Sequence, residues 1–357
     1  MPTLFDPITL GDMELPNRII MAPLTRCRAD EGRVPNDLMQ EYYVQRASAG
    51  LILTEATAVT PMGVGYPDTP GIWSDAQTAG WKRITDAVHG AGGRIISQLW
   101  HVGRISHPYY LNGELPVSAS AVAPLGKVRV ANHEQTDYVT PRALTQEEIP
   151  SVIEAFRQGA LNAKTAGFDG VEIHGANGYL PDQFLRDGTN HRTDDYGGSL
   201  ENRARFLLEA TDAAISVWGA NRVGVHLSPR NMEGSGATDS DPAAIYNYVA
   251  EQLGKRGIAF IFTREPFTGE ERFTPEMKRR FGGPVISNES FTPEQAQAAL
   301  DAGEADAVSW GKQFIANPDL PERLKRNGPF NEPNPATFYA PGAQGYTDYP
   351  FLNGEGK

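Results

Sequence analysis

Residues 170–180 read Gly-Val-Glu-Ile-His-Gly-Ala-Asn-Gly-Tyr-Leu, and this stretch decides how the rest of the chain is interpreted. Its first half is a short apolar run that follows the turn signature Ala166-Gly167-Phe168-Asp169, which predicts a buried strand. Its second half is a glycine-rich loop that carries His174, Asn177 and Tyr179. A buried strand that presents polar side chains at its carboxyl end is typical of a parallel α/β barrel, where the active site lies at that end.

Short apolar runs and helical patterns alternate on both sides of this stretch. Further strands are predicted at residues 18–24, 50–57, 94–100, 222–227, 258–262, 284–288 and 306–310. Helix starts lie between them, and they include capping boxes at Ser74, Thr145 and Thr292 and caps at Asn36 and Asp241. Eight strands that alternate with helices predict the α/β class and a (β/α)8 TIM barrel.

Two additions to the barrel are predicted. Residues 3–17 are expected to form an N-terminal hairpin with Leu10-Gly11-Asp12 as its turn. Residues 101–144, after the third strand, are rich in proline, glycine and serine, and a loop this long inside a compact domain is usually a lid or a binding element. No linker or repeat interrupts the pattern, so residues 1–357 are interpreted as a single domain.

Composition narrows the classes of function. The chain carries 32 basic and 44 acidic side chains, and the formal charge of −12 argues against binding to nucleic acid or to an anionic membrane. No apolar run approaches the length of a membrane span, and residues 1–7 lack the features of a signal peptide. The single cysteine, Cys27, excludes an internal disulfide and argues against a cysteine-based metal cage. We expect a cytoplasmic protein that is a monomer or a small homo-oligomer.

Polar side chains recur where the predicted strands meet the loops that follow them. In a barrel these strand ends converge on one mouth, so residues far apart in sequence can share a pocket. The ends of the seventh and eighth strands, with Asn288, Gly311 and Lys312, predict a phosphate site held by backbone N–H groups. Gly311 lets the backbone approach a ligand closely, and Lys312 supplies a charge.

Several longer motifs stand in order along the chain. They are LFDPITLGDMELPNRIIMAPLTR (4–26), HGANGYL (174–180), TNHRTDDYGGSLENRARF (189–206), FIANPDL (314–320) and GYTDYP (345–350). On these motifs the chain resembles the Old Yellow Enzyme family of FMN-dependent ene-reductases over nearly its whole length. Its motifs are most similar to those of the bacterial N-ethylmaleimide, nitrate-ester and xenobiotic reductases. The resemblance implies tightly but non-covalently bound FMN, which NADPH or NADH reduces and an electron-poor alkene or nitro compound reoxidises.

The resemblance also implies a set of cofactor contacts. The Thr25 hydroxyl would bond near the O4 edge of the flavin, and Gln98 offers the donor and the acceptor that suit the pyrimidine edge. The implied cofactor-binding residues are Pro23, Leu24, Thr25, Ala56, Gln98, His226, Asn288, Gly311 and Lys312.

The same resemblance implies catalytic roles for the opening loop. His174 and Asn177 would donate hydrogen bonds to the carbonyl or nitro oxygen of the substrate, which polarises the alkene for hydride transfer from flavin N5. Tyr179 would then give a proton to the carbon next to that carbonyl. Aromatic residues expected to shape the wall of the substrate pocket are Tyr66, Trp100 and Tyr339.

Some positions depart from the family pattern. His226 stands where the family commonly has arginine, and histidine supplies a positive charge near flavin N1 only when protonated. We therefore expect His226→Ala to lower the reduction potential of FMN. Lys312 replaces a frequent arginine, Glu289 and Ser290 occupy positions where glycine is frequent, and Pro181 follows Leu180 in place of an aliphatic residue.

Two other functions remain open from the residues alone. A metal-dependent barrel hydrolase could use His174 and His226 as ligands, but the chain lacks the His-x-His pair and the acidic residue that such sites usually have, so no metal is expected. A non-catalytic flavin-sensing barrel would bind FMN without turnover. Read singly, His174, Tyr179 and Gln98 are also compatible with structural roles in a barrel interior.

Overall fold

An antiparallel hairpin begins the chain, as predicted. It pairs β1 (Ile8–Leu10) with β2 (Met13–Leu15) across a turn that contains Gly11 at φ +57. A Cβ atom on Gly11 would lie 2.0 Å from the carbonyl oxygen of Asn221, so only glycine fits here. Leu10 and the apolar side chains of β2 pack against residues that point into the barrel, among them Phe260. The hairpin therefore covers the amino-terminal end of the barrel.

The remaining strands of the computed structural model were assigned within its described residues, which are 1–130, 134–230, 236–269 and 272–354. They are β3 (Ile19–Met21), β4 (Leu51–Leu53), β5 (Thr57–Ala58), β6 (Ile95–Trp100), β7 (Val117–Ser118), β8 (Lys127–Arg129), β9 (Gln135–Asp137), β10 (Arg142–Ala143), β11 (Val171–His174), β12 (Val223–Leu227), β13 (Phe260–Arg264), β14 (Val285–Asn288) and β15 (Ala307–Trp310). The order β3-β4-β6-β11-β12-β13-β14-β15 closes on itself, because β15 pairs with β3 and β6 pairs with β11. All of these pairs are parallel, and the predicted eight-stranded barrel is confirmed.

Helices lie between the barrel strands and cover them on the outside. They are α1 (Asp37–Gln45), α2 (Asp75–Gly90), α3 (Ile149–Thr165), α4 (Leu180–Leu185), α5 (Leu200–Trp218), α6 (Pro242–Arg256), α7 (Thr274–Phe281), α8 (Pro293–Asp301), α9 (Lys312–Ala316) and α10 (Leu320–Lys325). The capping boxes at Ser74 and Thr292 are both present, and Asn36 and Asp241 cap α1 and α6 through their side chains. Within the described ranges, no helix has the length and apolar character needed to cross a membrane.

Several predicted boundaries are wrong. The first strand ends at Met21 and not at residue 24, and the second ends at Leu53 and not at residue 57. The capping box at Thr145 does not form: α3 begins at Ile149, and Glu148 accepts a hydrogen bond from the Thr145 backbone N–H without a reciprocal bond. The sixth strand runs from Phe260 to Arg264 and not from 258 to 262. Gly257 ends α6 in the left-handed conformation at φ +65, so the strand begins two residues later than predicted.

The insertion after the third strand, 101–144, contains its own short strands. β7 pairs in parallel with β10, and β8 forms an antiparallel hairpin with β9, while residues 131–133 lie outside the described part. Tyr138 packs against an apolar cluster that includes Trp100. Tyr66 and Tyr179 pack against the same cluster. The insertion is thus attached to the barrel beside the loop that follows β11.

Candidate active site

A cavity of about 770 Å³ opens at the carboxyl ends of the barrel strands. This volume is within the usual range for cofactor and substrate sites. The lining residues come from the ends of strands as distant in sequence as β3 and β15. Most of the residues singled out in the sequence line it: Pro23, Leu24, Thr25, Ala56, Gln98, His174, Asn177, Tyr179, His226, Asn288, Gly311, Lys312 and Tyr339.

Tyr66 and Trp100 lie beside Tyr179. Neither is among the residues that line the cavity, and Trp100 is fully buried. The Trp100 ring meets the Tyr179 ring edge-on at 5.1 Å between centroids, and Tyr66 stacks on Trp100 at 5.5 Å. The hydroxyl groups of Tyr66 and Tyr179 are 2.9 Å apart. These two residues therefore support Tyr179, and their contact with a substrate stays a prediction.

Hydrogen bonds from backbone N–H groups to buried side chains hold the loop after β11 in place. Asn177 adopts a left-handed conformation at φ +58, and its N–H donates to the Ser228 hydroxyl at 2.8 Å. The next N–H, from Gly178, donates to Asp182 Oδ2 at 2.8 Å. Asp182 is itself fixed, because Oδ1 accepts bonds from Arg186 Nε at 2.9 Å and from the Tyr246 hydroxyl at 2.6 Å.

His174 is buried and neutral. Burial lowers its pKa to about 3, and the nearby charge of Arg264 lowers it further. Its ring lies parallel to the ring of His226, with 5.0 Å between centroids. Nδ1 of His174 is buried and has no hydrogen-bond partner among the described residues. An unpartnered buried nitrogen next to a cavity indicates that a ligand atom completes its bonding.

His226 is also neutral, which removes the charge that its position was expected to supply. Burial holds its pKa well below the ordinary value, and His174 and Arg264 act in the same direction. Its Nδ1 lies 3.1 Å from Gln98 Nε2, and its Nε2 is buried without a partner in the described part of the chain. His226 can therefore act on a ligand as a hydrogen-bonding group but not as a cation.

Arg264, which the sequence analysis missed, places a positive charge in the cavity beside His174 and His226. Arg264 Nη1 donates to Asn177 Oδ1 at 3.2 Å, and Nε donates to Glu289 Oε2 at 2.6 Å. Glu289 lies at φ +108 and Ser290 at φ +56, so both occupy backbone conformations that glycine adopts more easily. The available signal was the sequence Phe-Thr-Arg at the end of the sixth strand, which the two-residue error in its boundary concealed.

Another buried group that the sequence analysis missed is Glu172, two residues before His174. Its carboxyl group is fully buried in the barrel interior, with Oε2 2.6 Å from Gln98 Nε2. Burial raises the pKa of Glu172 to about 8.

At the predicted phosphate end, the strand termini come together as expected. Asn288 Nδ2 donates to the carbonyl and the hydroxyl oxygens of Ser309, at 3.1 and 2.8 Å. A Cβ atom on Gly311 would lie 3.0 Å from Leu24, and Lys312 is exposed at the edge of the cavity.

Residues 3–331 match the NADH:flavin oxidoreductase / NADH oxidase family. The chain belongs to this family. Morphinone reductase, solved in complex with tetrahydroNAD, is 51% identical with a TM-score of 0.96 and covers 100% of both chains. An Old Yellow Enzyme homologue from Zymomonas mobilis is 46% identical with a TM-score of 0.95, over 98% of this chain and 100% of that one. A "probable flavin mononucleotide-dependent alkene reductase" of Leishmania infantum is 43% identical over 98% of this chain and 97% of its own length.

Membership of the Old Yellow Enzyme family makes the protein an FMN-dependent oxidoreductase that uses a nicotinamide reductant. The residues present fit FMN. The cavity offers an unpartnered ring nitrogen on His226, the carboxamide of Gln98, a close backbone approach at Gly311 and a cation at Lys312. Among the described residues, no group of three His, Cys, Asp or Glu side chains is positioned to hold a metal ion.

Proposed function

We propose that the protein is an NAD(P)H-dependent ene-reductase that reduces activated C=C bonds in enones, maleimides and nitroalkenes, and also nitrate esters or nitroaromatic compounds. The observation that carries the proposal is that an imidazole, a carboxamide and a phenol from one loop, His174, Asn177 and Tyr179, line the same cavity. The imidazole and the carboxamide can donate hydrogen bonds to one oxygen of a substrate, and the phenol can protonate a carbon near it. The alkene reductase among the relatives supports the same reaction.

The proposed cofactor contacts use the strand ends. Pro23, Leu24 and Ala56 offer an apolar surface, Thr25 and Gln98 offer polar contacts to the ring edge, and the residues for the phosphate end are Asn288, Gly311 and Lys312. FMN, when bound there, supplies the hydride. The binding is proposed to be tight and non-covalent.

Asn177 is proposed to donate to the substrate oxygen through its NH2 group. Arg264 has only donors on its guanidinium group, so the Asn177 atom that faces it at 3.2 Å must be the carbonyl oxygen. The NH2 group then points away from Arg264 and is available to a ligand. His174, which is neutral, can add a second donor through one ring nitrogen, and two donors on one oxygen stabilise the negative charge that develops there.

Tyr179 is proposed as the proton donor. Its side chain lines the cavity, and its hydroxyl group is 2.9 Å from that of Tyr66, which can take part in returning a proton from solvent. The edge-on contact with Trp100 fixes the direction of the Tyr179 ring. Tyr339, which is 47% exposed, is proposed as a wall of the substrate pocket.

Small electron-poor molecules are the proposed partners. The formal charge of −12 favours them over nucleic acid or an anionic membrane. We also propose a cytoplasmic monomer or small homo-oligomer that acts as a single barrel domain.

The function is tested by anaerobic stopped-flow measurements. Purified protein should be yellow, NADPH or NADH should bleach it, and 2-cyclohexenone, N-ethylmaleimide or a nitrate ester should restore the colour. A panel that pairs both nicotinamides with the three acceptors also gives the preferred reductant and acceptor. Reduction without reoxidation by any acceptor would reject the ene-reductase and favour the flavin-sensing barrel.

A further inference from the structure

The buried carboxyl group of Glu172 has no part in the proposed reaction. Its Oε1 has no hydrogen-bond partner among the described residues, and its Oε2 lies 2.6 Å from Gln98 Nε2 and 3.9 Å from His226 Nδ1. A fully buried carboxylate normally has a cation beside it or several donors around it. Glu172 has one neutral amide, so its charged form is poorly stabilised.

The contact with Gln98 can form in either protonation state of Glu172. The separation of 2.6 Å is a direct hydrogen bond, and the bond from Arg264 Nε to Glu289 Oε2 is equally short. The oxygen and nitrogen of a glutamine amide are assigned from their hydrogen-bond network and can be exchanged by a half-turn of the amide. An ionised Glu172 therefore accepts from the Gln98 NH2 group, and a protonated Glu172 donates to the Gln98 oxygen.

The two forms of Glu172 impose opposite arrangements on His226. When Glu172 is protonated, the oxygen of the Gln98 amide faces both neighbours. It accepts a hydrogen bond from Glu172 O–H and another from His226 Nδ1–H. The neutral imidazole then carries its proton on Nδ1, so its Nε2 is an acceptor. With Glu172 ionised, the Gln98 NH2 group donates to the carboxylate and to His226 Nδ1, so the proton resides on Nε2. Nε2 is the buried, unpartnered atom of His226, and His226 lines the cavity.

We propose that Glu172 is a positioning residue that sets, through the amide of Gln98, whether His226 presents a donor or an acceptor to the cofactor. The proton that Glu172 loses or gains is exchanged with solvent. Burial places the change near pH 8, because it raises the pKa of Glu172 to about 8.

The other charged and titratable groups that face this trio are few in the described part of the chain. His174, on the same strand as Glu172, stacks on His226 and is neutral, with its pKa lowered to about 3. Arg264 approaches from β13 and is paired with Glu289 at the end of β14. The strands β6 and β12, which pair with the strand of Glu172, contribute Gln98 and His226 to the trio. His174 stays neutral between pH 7 and pH 9, so it does not imitate the ionisation of Glu172.

The ionisation of Glu172 should change the affinity for FMN. This expectation rests on the proposed contacts of Gln98 and His226 with the pyrimidine edge of the flavin. That edge presents the acceptors N1 and O2 and one donor, N3–H. The ionised form of Glu172 gives the matching pattern, with a donor on His226 and an acceptor on Gln98. FMN should therefore bind more tightly when Glu172 is ionised, and the apparent affinity should follow the ionised fraction.

The first test is the dissociation constant of FMN at pH 7 and pH 9, on either side of the pKa of about 8, measured by flavin fluorescence. We expect FMN to bind about tenfold more tightly at pH 9 in the wild-type protein, because the competent fraction rises about tenfold. Glu172→Gln should abolish this difference. Glu55→Gln is the matched control, since Glu55 is also a buried glutamate that follows a barrel strand, and burial raises its pKa to about 7. It should keep the difference. A Glu172→Gln protein with the wild-type pH dependence, or a wild-type protein with none, overturns the proposal.

The second test observes His226 directly and does not require turnover. Nitrogen-15 NMR of the holoenzyme labelled on its seven histidines distinguishes the two neutral tautomers, and His226→Gln identifies the signal. We expect the Nε2–H fraction to rise with pH between pH 5.5 and pH 9. A constant ratio overturns the proposal even if enone reduction is normal, and a pH-dependent ratio supports it even if every acceptor fails.

Discussion

Two buried carboxyl groups flank the loop that carries the proposed catalytic residues, and their surroundings differ. Asp182 accepts hydrogen bonds from Arg186, Tyr246 and the Gly178 N–H, and Arg186 donates onward to the Ser228 carbonyl at 2.5 Å. Within the residues that the structure describes, Glu172 has one amide as its partner and one oxygen without a partner. A carboxylate whose bonds are all made holds a backbone in place, whereas one that lacks partners can change its protonation state at moderate pH.

The largest effect is expected from breaking the fully bonded carboxylate. Asp182→Asn leaves the buried Arg186 without its counter-ion and should lower the free energy of unfolding by about 3–5 kcal/mol, measured by urea denaturation. Asp86→Asn, which removes an exposed pair with Lys82, is the control and should cost less than about 1 kcal/mol. Equal losses in the two variants would mean that the Asp182 cluster does not hold the loop.

The next effect concerns the proposed proton donor that this loop carries. Tyr179→Phe should slow reoxidation by 2-cyclohexenone by about 10²–10⁴-fold and leave reduction by the nicotinamide close to normal, since only reoxidation by the alkene needs the proton. Both half-reactions are measured by stopped-flow absorbance. Tyr66→Phe, which keeps the Tyr179 hydroxyl, is the comparison variant and should be much less affected. Full activity of Tyr179→Phe with every acceptor would exclude the role.

A smaller effect is expected where a charge orients a neutral amide. Arg264→Met removes the donor that fixes the Asn177 carboxamide and should reduce kcat/KM for enones by about tenfold to a hundredfold. Arg272→Met, which removes an arginine paired with Glu304, tests whether loss of any partly buried arginine has this effect. If both variants lose the same amount, Arg264 does not orient Asn177.

The smallest effect sharpens the comparison through stability. The folded pKa of Glu172 is raised from 4.5 to about 8, so the folded protein keeps a proton that the unfolded chain has lost, and stability falls as pH rises between these values. Glu172→Gln lacks this loss, so its stability relative to wild type should rise between pH 4.5 and pH 9, by at most about 1.4 kcal/mol per unit of pKa shift. Thermal unfolding is compared at equal FMN saturation, so that ligand linkage cancels. A difference that does not change with pH would contradict the shifted ionisation.

The sequence predicts the barrel well because its signals are local. Apolar runs, glycine turns and capping residues such as Ser74 and Thr292 specify elements from nearby residues alone. The errors arise where a turn outside the pattern decides the boundary: Gly257 moves the sixth strand by two residues, and Glu148 starts α3 without the capping bond expected at Thr145.

The site is predicted in part for the same reason. His174, Asn177 and Tyr179 share one loop, so their proximity follows from sequence. The role of Glu172 depends on Gln98 and His226, which reach it from two other strands, and no local pattern reveals such a contact. Trp100 also ends a barrel strand at the mouth, but its side chain packs edge-on against Tyr179 and is not among the residues that line the cavity. Its position in the sequence does not reveal this contact.

The hairpin at the start of the chain bears on the end of the barrel at which ligands enter. Its side chains close the amino-terminal end of the barrel, where Leu10 and Met13 belong to the same apolar cluster as Phe260 and Ile286. In the described part of the chain the cavity opens at the carboxyl ends of the strands, and under the proposed reaction we expect the nicotinamide and the electron acceptor to use this same entrance. An excess of either one should obstruct the other, so steady-state rates should fall at high concentrations of both.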